Sequence, residues 1–451
     1  MKALARFLMR PAAVYVILFG NAVVIAGFWI SHGNLKKLGT TDGILLDAGQ
    51  LAGLSAAYLV MIQLLIMSRN PWLDQVFGRN RVTAAHRWVG FAAISLLVTH
   101  ATLITVSYAI SYDNSIPDEF VSLVTTFPYV LWSATGLGIL IAIGFMSLRA
   151  VRRRVSYETW YLIHVGTYVA IALAFLHQVV VGTDLSKDPA FRIYWIGLYA
   201  AVVATLLTFR FGQPTALTLR HRFRVDRVVA EGPGVVSLYL TGRDLDRLPV
   251  RAGHWFRLRL LTRRGWYQAL PFSISAAPNG RYLRFTIKDL GGDTKRLQRT
   301  RVGTRVFLEG PYGLFTSATQ TKARVLLIAG GIGITPLRAL LEDLRAARGD
   351  LTLIYRATRP DDVVFRNEID ELASQRGAAV HYIVGRRGSP EVPTDPFEPA
   401  ALRGLVQDLC DRDIYVCGPV GMMDAILAAL RGLQVPDSQV HYERFALLSS
   451  G

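Results

Sequence analysis

Apolar residues dominate the first 212 positions in long runs, with short polar loops between them. A bilayer core takes about 20 apolar residues as a helix. Six segments qualify, at 11–30, 44–67, 86–110, 125–148, 159–181 and 192–211. The first is too long for the apolar core of a signal peptide and lacks a small-residue cleavage site, so it reads as a retained span. Near Gln213-Pro214 the period changes. VVSLYL (235–240) and LRFTIK (283–288) are short and strand-like, with Gly, Pro and Asn turns between them. That pattern predicts a small antiparallel barrel. From Arg324 strands alternate with helices. Strand-like VLLIA (325–329) leads to helix-like PLRALLEDLRAAR (336–348), then LTLIYRA (351–357), FRNEIDELAS (365–374), VHYIVG (380–385) and DIYVCGP (413–419). Such alternation predicts a parallel sheet of doubly wound type. Residues 387–400 read as a surface loop. The expected fold is a membrane α-helical bundle of six spans over 1–212, an antiparallel β-barrel over 213–318 and an α/β doubly wound nucleotide-binding domain over 319–451.

Composition agrees with a chain that is partly in a membrane. Hydrophobic residues make up 51% and the mean hydropathy is +0.31. The formal net charge is +17. In a soluble protein such a charge would suggest nucleic acid, but basic residues also collect on the cytoplasmic side of membrane spans. Here Lys2, Arg6, Arg10, Arg69, Arg79, Arg81, Arg149, Arg152, Arg153 and Arg154 fall in one set of loops. Asp42, Asp113, Asp118, Glu119, Asp184 and Asp188 fall in the other, where Lys36 and Lys37 are the main exception. The arrangement predicts a multi-pass protein of the cell inner (plasma) membrane with both termini cytoplasmic, and it removes the argument for a nucleic-acid partner. The two cysteines, Cys410 and Cys417, make neither a disulfide framework nor a metal knuckle.

Two of the apolar segments carry histidines. His86 and His100 are 14 residues apart, and His164 and His177 are 13 apart. As helices these spacings cover about 20 Å, so His86 and His164 share one depth and His100 and His177 another. Ionisable residues inside spans mark function, and neutral imidazole is a good axial ligand for haem iron. Two stacked bis-histidine haems follow as a hypothesis. The alternative is hydrogen bonding to Ser or Thr of neighbouring helices. A spacing of 13 turns an ideal helix to another face, so the fifth span is expected to be kinked or irregular. His32 reads as a plain loop residue.

Phosphate-binding segments follow in the C-terminal half. LPFSIS (270–275) contains Pro271, Phe272 and Ser273, and KDLGGDT contains Lys288, Gly291, Gly292 and Thr294. Glycines let backbone amides approach a phosphate, and a threonine adds a hydroxyl. IAGGIGITP follows a strand and opens a helix, bringing Gly330, Gly331, Gly333, Thr335 and Pro336 to a turn suited to pyrophosphate. Cys417, Gly418 and Pro419 end a later strand, where ligands bind on open α/β sheets; Cys417 can equally be a small buried hydrophobe. Arg356, Arg386 and Arg387 follow strands, either to pair with a 2′-phosphate or as a solvated basic surface.

With these residues in place the chain resembles the ferric reductase and NADPH oxidase group of flavohaem membrane enzymes along nearly its whole length. HRW (86–88) with the 14 and 13 spacings is similar to that family's haem domain. PFSIS, GGDT, EGPYG (309–313), GGIGITP, CGP with Met422, and HYERF (441–445) are similar to ferredoxin–NADP reductase modules, in the same order. The resemblance implies FAD, NADPH (or NADH) and two b-type haems as cofactors. It places Ser273 near the reactive flavin nitrogen, Gly291, Gly292 and Thr294 at the FAD phosphates, and Glu443 and Phe445 near the flavin ring. The glycines of GGIGITP and Thr335 would hold the nicotinamide nucleotide, with Cys417 near the nicotinamide. Two departures stand out. The family usually has His or Arg before the Pro of PFS, where it helps hold FAD, and this chain has Leu270; Gln268 or Tyr267 would have to compensate. Six residues also follow Phe445. The implied activity is electron transfer from cytoplasmic NAD(P)H to oxygen or a ferric chelate on the far side. The alternatives are an electron-donor subunit for a periplasmic partner, or a haem-binding membrane protein with a degenerate reductase half.

Overall fold

The computed structural model describes residues 10–34, 39–152, 154–155, 157–263, 265–392 and 394–444. They separate into two compact units, one running to Phe211 and the other starting at Gly212. The first is helical, with α1 (Pro11–Ser31), α2 (Thr41–Met67), α3 (Arg79–Tyr112), α4 (Ile116–Thr126), α5 (Val130–Met146), α6 (Tyr157–Val165), α7 (Thr167–Val180) and α8 (Pro189–Leu207). Among the described residues, five helical stretches are long and apolar enough to cross a membrane, one of them formed by α6 and α7 together, or six if α4 and α5 count as one bent span. Large apolar side chains such as Phe19, Leu162 and Ile193 stand exposed on them, which suits a surface solvated by lipid. Helix starts follow ordinary capping chemistry. Pro11 and Pro189 occupy first turns, and the Asp188 carboxylate accepts from Ala190 N at 2.8 Å.

Three of the expected spans differ in detail. The fourth, expected over 125–148, begins as a helix only at Val130, because Pro128 keeps Phe127 out of the helical region. Tyr129 then adopts φ 64°, and α4 and α5 meet at 115°. The fifth is interrupted at Gly166, whose N–H bonds to Ile163 O at 2.9 Å in a tighter turn. The sixth does not end at 211. It passes through a π turn, Thr208–Gly212, into α9 (Gln213–His221). Pro214 has no N–H to return to the preceding turn, and a π turn ahead of it takes up the mismatch.

The second unit begins with two three-stranded antiparallel sheets. One has the order β1 (Arg224–Gly232), β2 (Val235–Thr241), β5 (Leu283–Lys288); the other β4 (Leu270–Ser273), β3 (Trp255–Leu260), β6 (Val306–Tyr312). They share one core, with Leu238, Leu240, Phe285 and Ile287 from the first sheet and Phe256, Leu258, Val306 and Leu308 from the second. Along β3 the alternation is regular. Phe256, Leu258 and Leu260 enter the core, while Trp255, Arg257 and Arg259 take the other face. A short helix, α10 (Gly292–Gln298), follows β5.

A five-stranded parallel sheet completes the unit, in the order β11 (Val440–Tyr442), β10 (Arg412–Cys417), β7 (Arg324–Gly330), β8 (Leu351–Ala357), β9 (Ala379–Val384). Val325, Leu327 and Ala329 of β7 pack with Leu337, Leu340 and Leu341 of α11 (Ile334–Asp343) and with Ile369 of α12 (Arg366–Arg376). Leu326 and Ile328 pack with Met423, Ile426 and Leu430 of α13 (Val420–Gly432). Burial on both faces is why this strand reads as a continuous apolar run. Helix α11 stops at Asp343, short of the expected 348. The Gln320 amide donates to Arg345 O at 2.6 Å and accepts from Arg345 N at 3.1 Å, which draws the chain off the helical path.

A buried charge cluster ties the antiparallel sheets to the helices of the parallel sheet. The Arg284 side chain on β5 is 4% exposed and that of Arg338 on α11 is 7% exposed. Arg284 donates to both carboxylate oxygens of Glu368, at 3.0 and 3.1 Å, and Arg338 also pairs with Glu368 and with Glu342. Glu342 in turn accepts from Ala277 N at 2.9 Å. Removing one member of such a set strands the others. Glu368→Ala is expected to lower the thermal midpoint of this unit by roughly 5–10 °C. Glu371→Ala, at an exposed position on the same helix, is expected to change it by less than about 2 °C, both read by thermal melts of the purified protein.

Candidate functional site

The helical unit brings together His86 with His164, at a ring-centroid distance of 6.0 Å, and His100 with His177, at 6.5 Å. An imidazole-bound metal lies about 2 Å from its nitrogen, so two rings on one ion have centroids roughly 6 Å apart. Among the described residues no group of three or more His, Cys, Asp or Glu could hold a bare metal ion. Ligand sets of two suit an ion that brings its own in-plane donors, as haem iron does. In the second pair the tautomer follows from the neighbours. His100 Nδ1 lies 2.8 Å from Gly49 O, and His177 Nδ1 2.6 Å from Ala174 O. A carbonyl only accepts, so Nδ1 carries the proton and Nε2 keeps its lone pair for a metal. In the first pair His164 stacks on Trp160 at 4.8 Å, and its buried Nδ1 has no hydrogen-bond partner among the described residues. The residues present fit axial ligation of two haems.

Close helix approach makes these contacts. A Cβ on Gly53 would stand 2.6 Å from His100 Nδ1, and one on Gly49 would stand 2.9 Å from Ile104. Gly49 and Gly53 form a G-x-x-x-G spacing on α2, the available signal for a tight α2–α3 crossing. Gln63 on the same helix donates to His86 O at 2.8 Å, and Gly90 leaves room for its amide. Sequence reasoning singled out neither. His32, expected as a plain loop residue, lies between two carboxylates, with Asp184 at 3.3 Å and Asp188 at 2.9 Å. Those partners arrive from about 150 positions away, so no local pattern announces them.

In the second unit, Ser273 ends β4 opposite Trp255 of β3. The Ser273 hydroxyl and the Trp255 indole N–H are both buried without a hydrogen-bond partner among the described residues. Trp255 packs on Tyr312 at 4.9 Å, and a Cβ on Gly313 would meet Trp255 at 2.9 Å and the Glu443 carboxylate at 3.5 Å. Ser273, Trp255, Gly313 and Glu443 therefore converge. Two orphaned donors beside a carboxylate are what a flavin ring, with its acceptor and donor edges, would satisfy. Pro271 is exposed, and Phe272 packs against the sheet core. Phe445 lies outside the described residues.

The glycines after β5 build an open turn. Gly291 has φ 87° and Gly292 φ 51°, and Cβ atoms there would meet nothing within 4 Å. The Thr294 hydroxyl accepts from Leu290 N at 2.9 Å and donates to Gly291 O at 2.8 Å, so it shapes the turn. Lys288 reaches Asp362 at 3.7 Å. The turn after β7 is tighter. A Cβ on Gly333 would stand 2.4 Å from Cys417 O, one on Gly330 2.5 Å from Met422 Sδ, and one on Gly418 2.8 Å from Met422 Cε. Adjacent strand ends thus meet backbone to backbone, with Pro419 and Met422 closing over Gly330. Thr335 is buried and donates to Ile332 O at 3.1 Å, with Pro336 buried beside it. Tyr355, which the sequence reading passed over, places its hydroxyl 3.2 Å from Gly331 O and pins the turn from β8. Arg356 spends its guanidinium on the carbonyls of Ala357 and Ile383. Arg387 pairs with Asp395 at 2.9 Å, and Arg386 is exposed. Burial, reinforced by the Glu443 charge, pushes the Cys417 thiol well up, so it stays protonated.

Comparison with known proteins matches both units. Residues 52–175 match the ferric reductase like transmembrane component, and residues 327–427 match the oxidoreductase NAD-binding domain. Ferredoxin–NADP reductase B of Sorangium cellulosum is 31% identical over 226 residues, which is 47% of this chain and 92% of that protein. The ferredoxin reductase component of 3-ketosteroid-9-alpha-monooxygenase of Mycobacterium tuberculosis is 31% identical over 49% of this chain; the chain spans 63% of that relative's length. A solved flavohemoglobin from Malassezia yamatoensis aligns over 88% of this chain and 98% of its own, at 18% identity and a TM-score of 0.43. Both matches are to oxidoreductase families, a transmembrane component in the first unit and an FAD- and nicotinamide-binding type of module in the second. A ferric reductase like transmembrane component followed by a ferredoxin–NADP reductase-type module fits a ferric reductase and NADPH oxidase-like architecture.

Two outcomes test the geometry. Gly333→Ala forces a methyl against Cys417 O and is expected to weaken nicotinamide nucleotide binding more than about tenfold, measured by equilibrium titration. His254, at the start of β3, is held to a pKa of about 4 by burial and by Arg251. Its folded value is depressed below the ordinary 6.5, so the unfolded chain binds the extra proton between pH 6.5 and 4 and stability falls as pH drops through that window. In melts across this range, His254→Gln is expected to flatten the acid-side loss by about 2–3 kcal/mol.

Proposed function

We propose that this chain is a transmembrane electron transferase. It takes reducing equivalents from NADPH or NADH on the cytoplasmic side and delivers electrons to an acceptor on the far side. When bound, FAD converts a two-electron donor to one-electron steps, and two b-type haems carry the electrons across the bilayer. The observation that carries this reading is the co-occurrence of two facing imidazole pairs in the helical unit with the GGIG cradle in the other.

The chain's own residues act by holding and orienting. His86 with His164 and His100 with His177 would present the iron ligands, and Gly49 O and Ala174 O fix the His100 and His177 imidazoles by accepting hydrogen bonds from their Nδ1–H groups. Gly331 leaves space for the nucleotide pyrophosphate at the start of α11, Gly330 and Gly333 let the neighbouring strand end close beneath it, and Thr335 holds the turn. Ser273 offers its hydroxyl to the flavin edge. The protonated Cys417 contributes shape and exclusion of water at the nicotinamide, not nucleophilic attack. Gly291 and Gly292 offer main-chain amides to the FAD phosphates. In this reading residues 1–212 form a six-span domain in the inner membrane with cytoplasmic termini, 213–318 an FAD-binding barrel and 319–451 the nicotinamide domain. The acceptor is oxygen or a ferric chelate, which require only access to the outer haem edge. With Arg356 engaged by carbonyls, discrimination for a 2′-phosphate falls to the exposed Arg386.

Anaerobic absorbance spectra of the detergent-solubilised protein with FAD, before and after NADPH, test the path. Reduced low-spin haem bands in proportion to two haems per chain are expected, and His100→Ala is expected to lower bound haem to one. Haem reducible by dithionite but never by NADPH or NADH would sink the proposal in favour of a haem-binding membrane protein. Reoxidation by air or ferric citrate then identifies the acceptor class.

A further inference from the structure

We propose that Arg257 is the cation that holds the FAD diphosphate in this chain, in place of the residue at position 270. The inference rests on FAD binding by the second unit. The β3–β4 register sets Trp255 opposite Ser273, Arg257 opposite Pro271 and Leu258 opposite Leu270. Residues directly opposite share a face of the sheet. Leu270 therefore lies on the core face, where it packs with the Leu258 cluster, and a cation at that position would be aimed at apolar side chains. Arg257 lies on the other face, the one that carries the orphaned Ser273 hydroxyl and Trp255 indole.

Its reach is visible in its contacts. The Arg257 guanidinium donates to Ala269 O at 3.3 Å, beside position 270. The next residue, Gln268, accepts from Arg296, which lies on α10, the helix opened by Gly291 and Gly292. One continuous face thus runs from Ser273 through Arg257 to the open glycine turn, in the order that a flavin ring, its diphosphate and the phosphate-binding amides require. Charge points the same way. The neighbouring Arg259 is paired with Glu309 at 3.0 Å. Arg257 also stands opposite Glu309 in the β6 register, yet among the described residues it makes no ion pair. A half-buried guanidinium with no ion pair of its own, and with a fork that matches two phosphate oxygens, is suited to an anion. The other two residues that could replace a cation at 270 do less. Tyr267 is neutral and 58% exposed, and the Gln268 carbonyl oxygen is already taken by Arg296.

The test compares FAD with riboflavin, which has the same ring and no phosphate. Full-length protein stripped of FAD is titrated with each, and binding is followed by quenching of flavin fluorescence. Arg257→Ala is expected to weaken FAD about ten- to hundredfold while leaving riboflavin within about twofold. Arg257→Gln, which can still bond to Ala269 O without a charge, is expected to behave the same way and guards against misfolding of the alanine variant. Equal losses for both ligands, or no loss for either, would overturn the proposal. A wild-type protein that takes up no FAD would overturn the FAD reading itself, along with it.

Discussion

A buried imidazole is costly unless its ring N–H finds an acceptor, and the His100–His177 pair is organised by how it meets that demand. Helix carbonyls are already used along their own helix, so a second bond to one requires very close approach. Gly49 and Gly53 on α2 permit it. The carbonyl of Gly49 accepts a hydrogen bond from His100 Nδ1 at 2.8 Å, and the missing side chain of Gly53 is the space in which that ring sits. Fixing Nδ1 in this way leaves the Nε2 lone pair free for a metal, and His177 reaches the same state by bonding to Ala174 O within its own helix. The His86–His164 pair is built differently, with an indole under His164 and the Gln63 amide at the backbone of His86. Two sites of the same ligand type thus sit in unequal surroundings.

In the second unit the governing constraint is access rather than desolvation. Its proposed binding surfaces lie where strands end, because only there does the backbone stop bonding to neighbouring strands. Gly333 lies against Cys417 O and Gly330 under Met422, so the turn after β7 has no room for a side chain yet leaves its amides at the head of α11. The Gly291-Gly292 turn is open on all sides. One turn is shaped by packing from beneath and the other by internal bonds of Thr294 and Asp289. The buried Arg284–Glu368–Arg338 set serves a separate purpose. Such clusters add little net stability compared with apolar packing, but losing one member leaves an uncompensated buried charge, here between β5, α11 and α12.

The hydrophobic pattern, residue chemistry and turn glycines were enough to read much of this protein from its sequence. Runs of apolar residues announced the helical unit, and VVSLYL, LRFTIK and LTLIYRA fall on strands because period and β-branched content are local properties. The histidines stood out because charge-bearing residues are rare in such runs, and GGIGITP because a strand, a glycine turn and a helix follow within nine residues. What failed locally had local physical causes that a window average hides, namely Pro128 bending the fourth segment and Pro214 carrying helix past the expected boundary. Tertiary structure decided the rest. Which imidazoles face each other, that Gly49 O rather than a hydroxyl takes the His100 proton, that His32 lies between Asp184 and Asp188, and that Leu270 faces the core while Arg257 shares the Ser273 face all depend on residues brought together from far along the chain. Composition and period reveal which side chains a segment carries; only packing determines what each one touches.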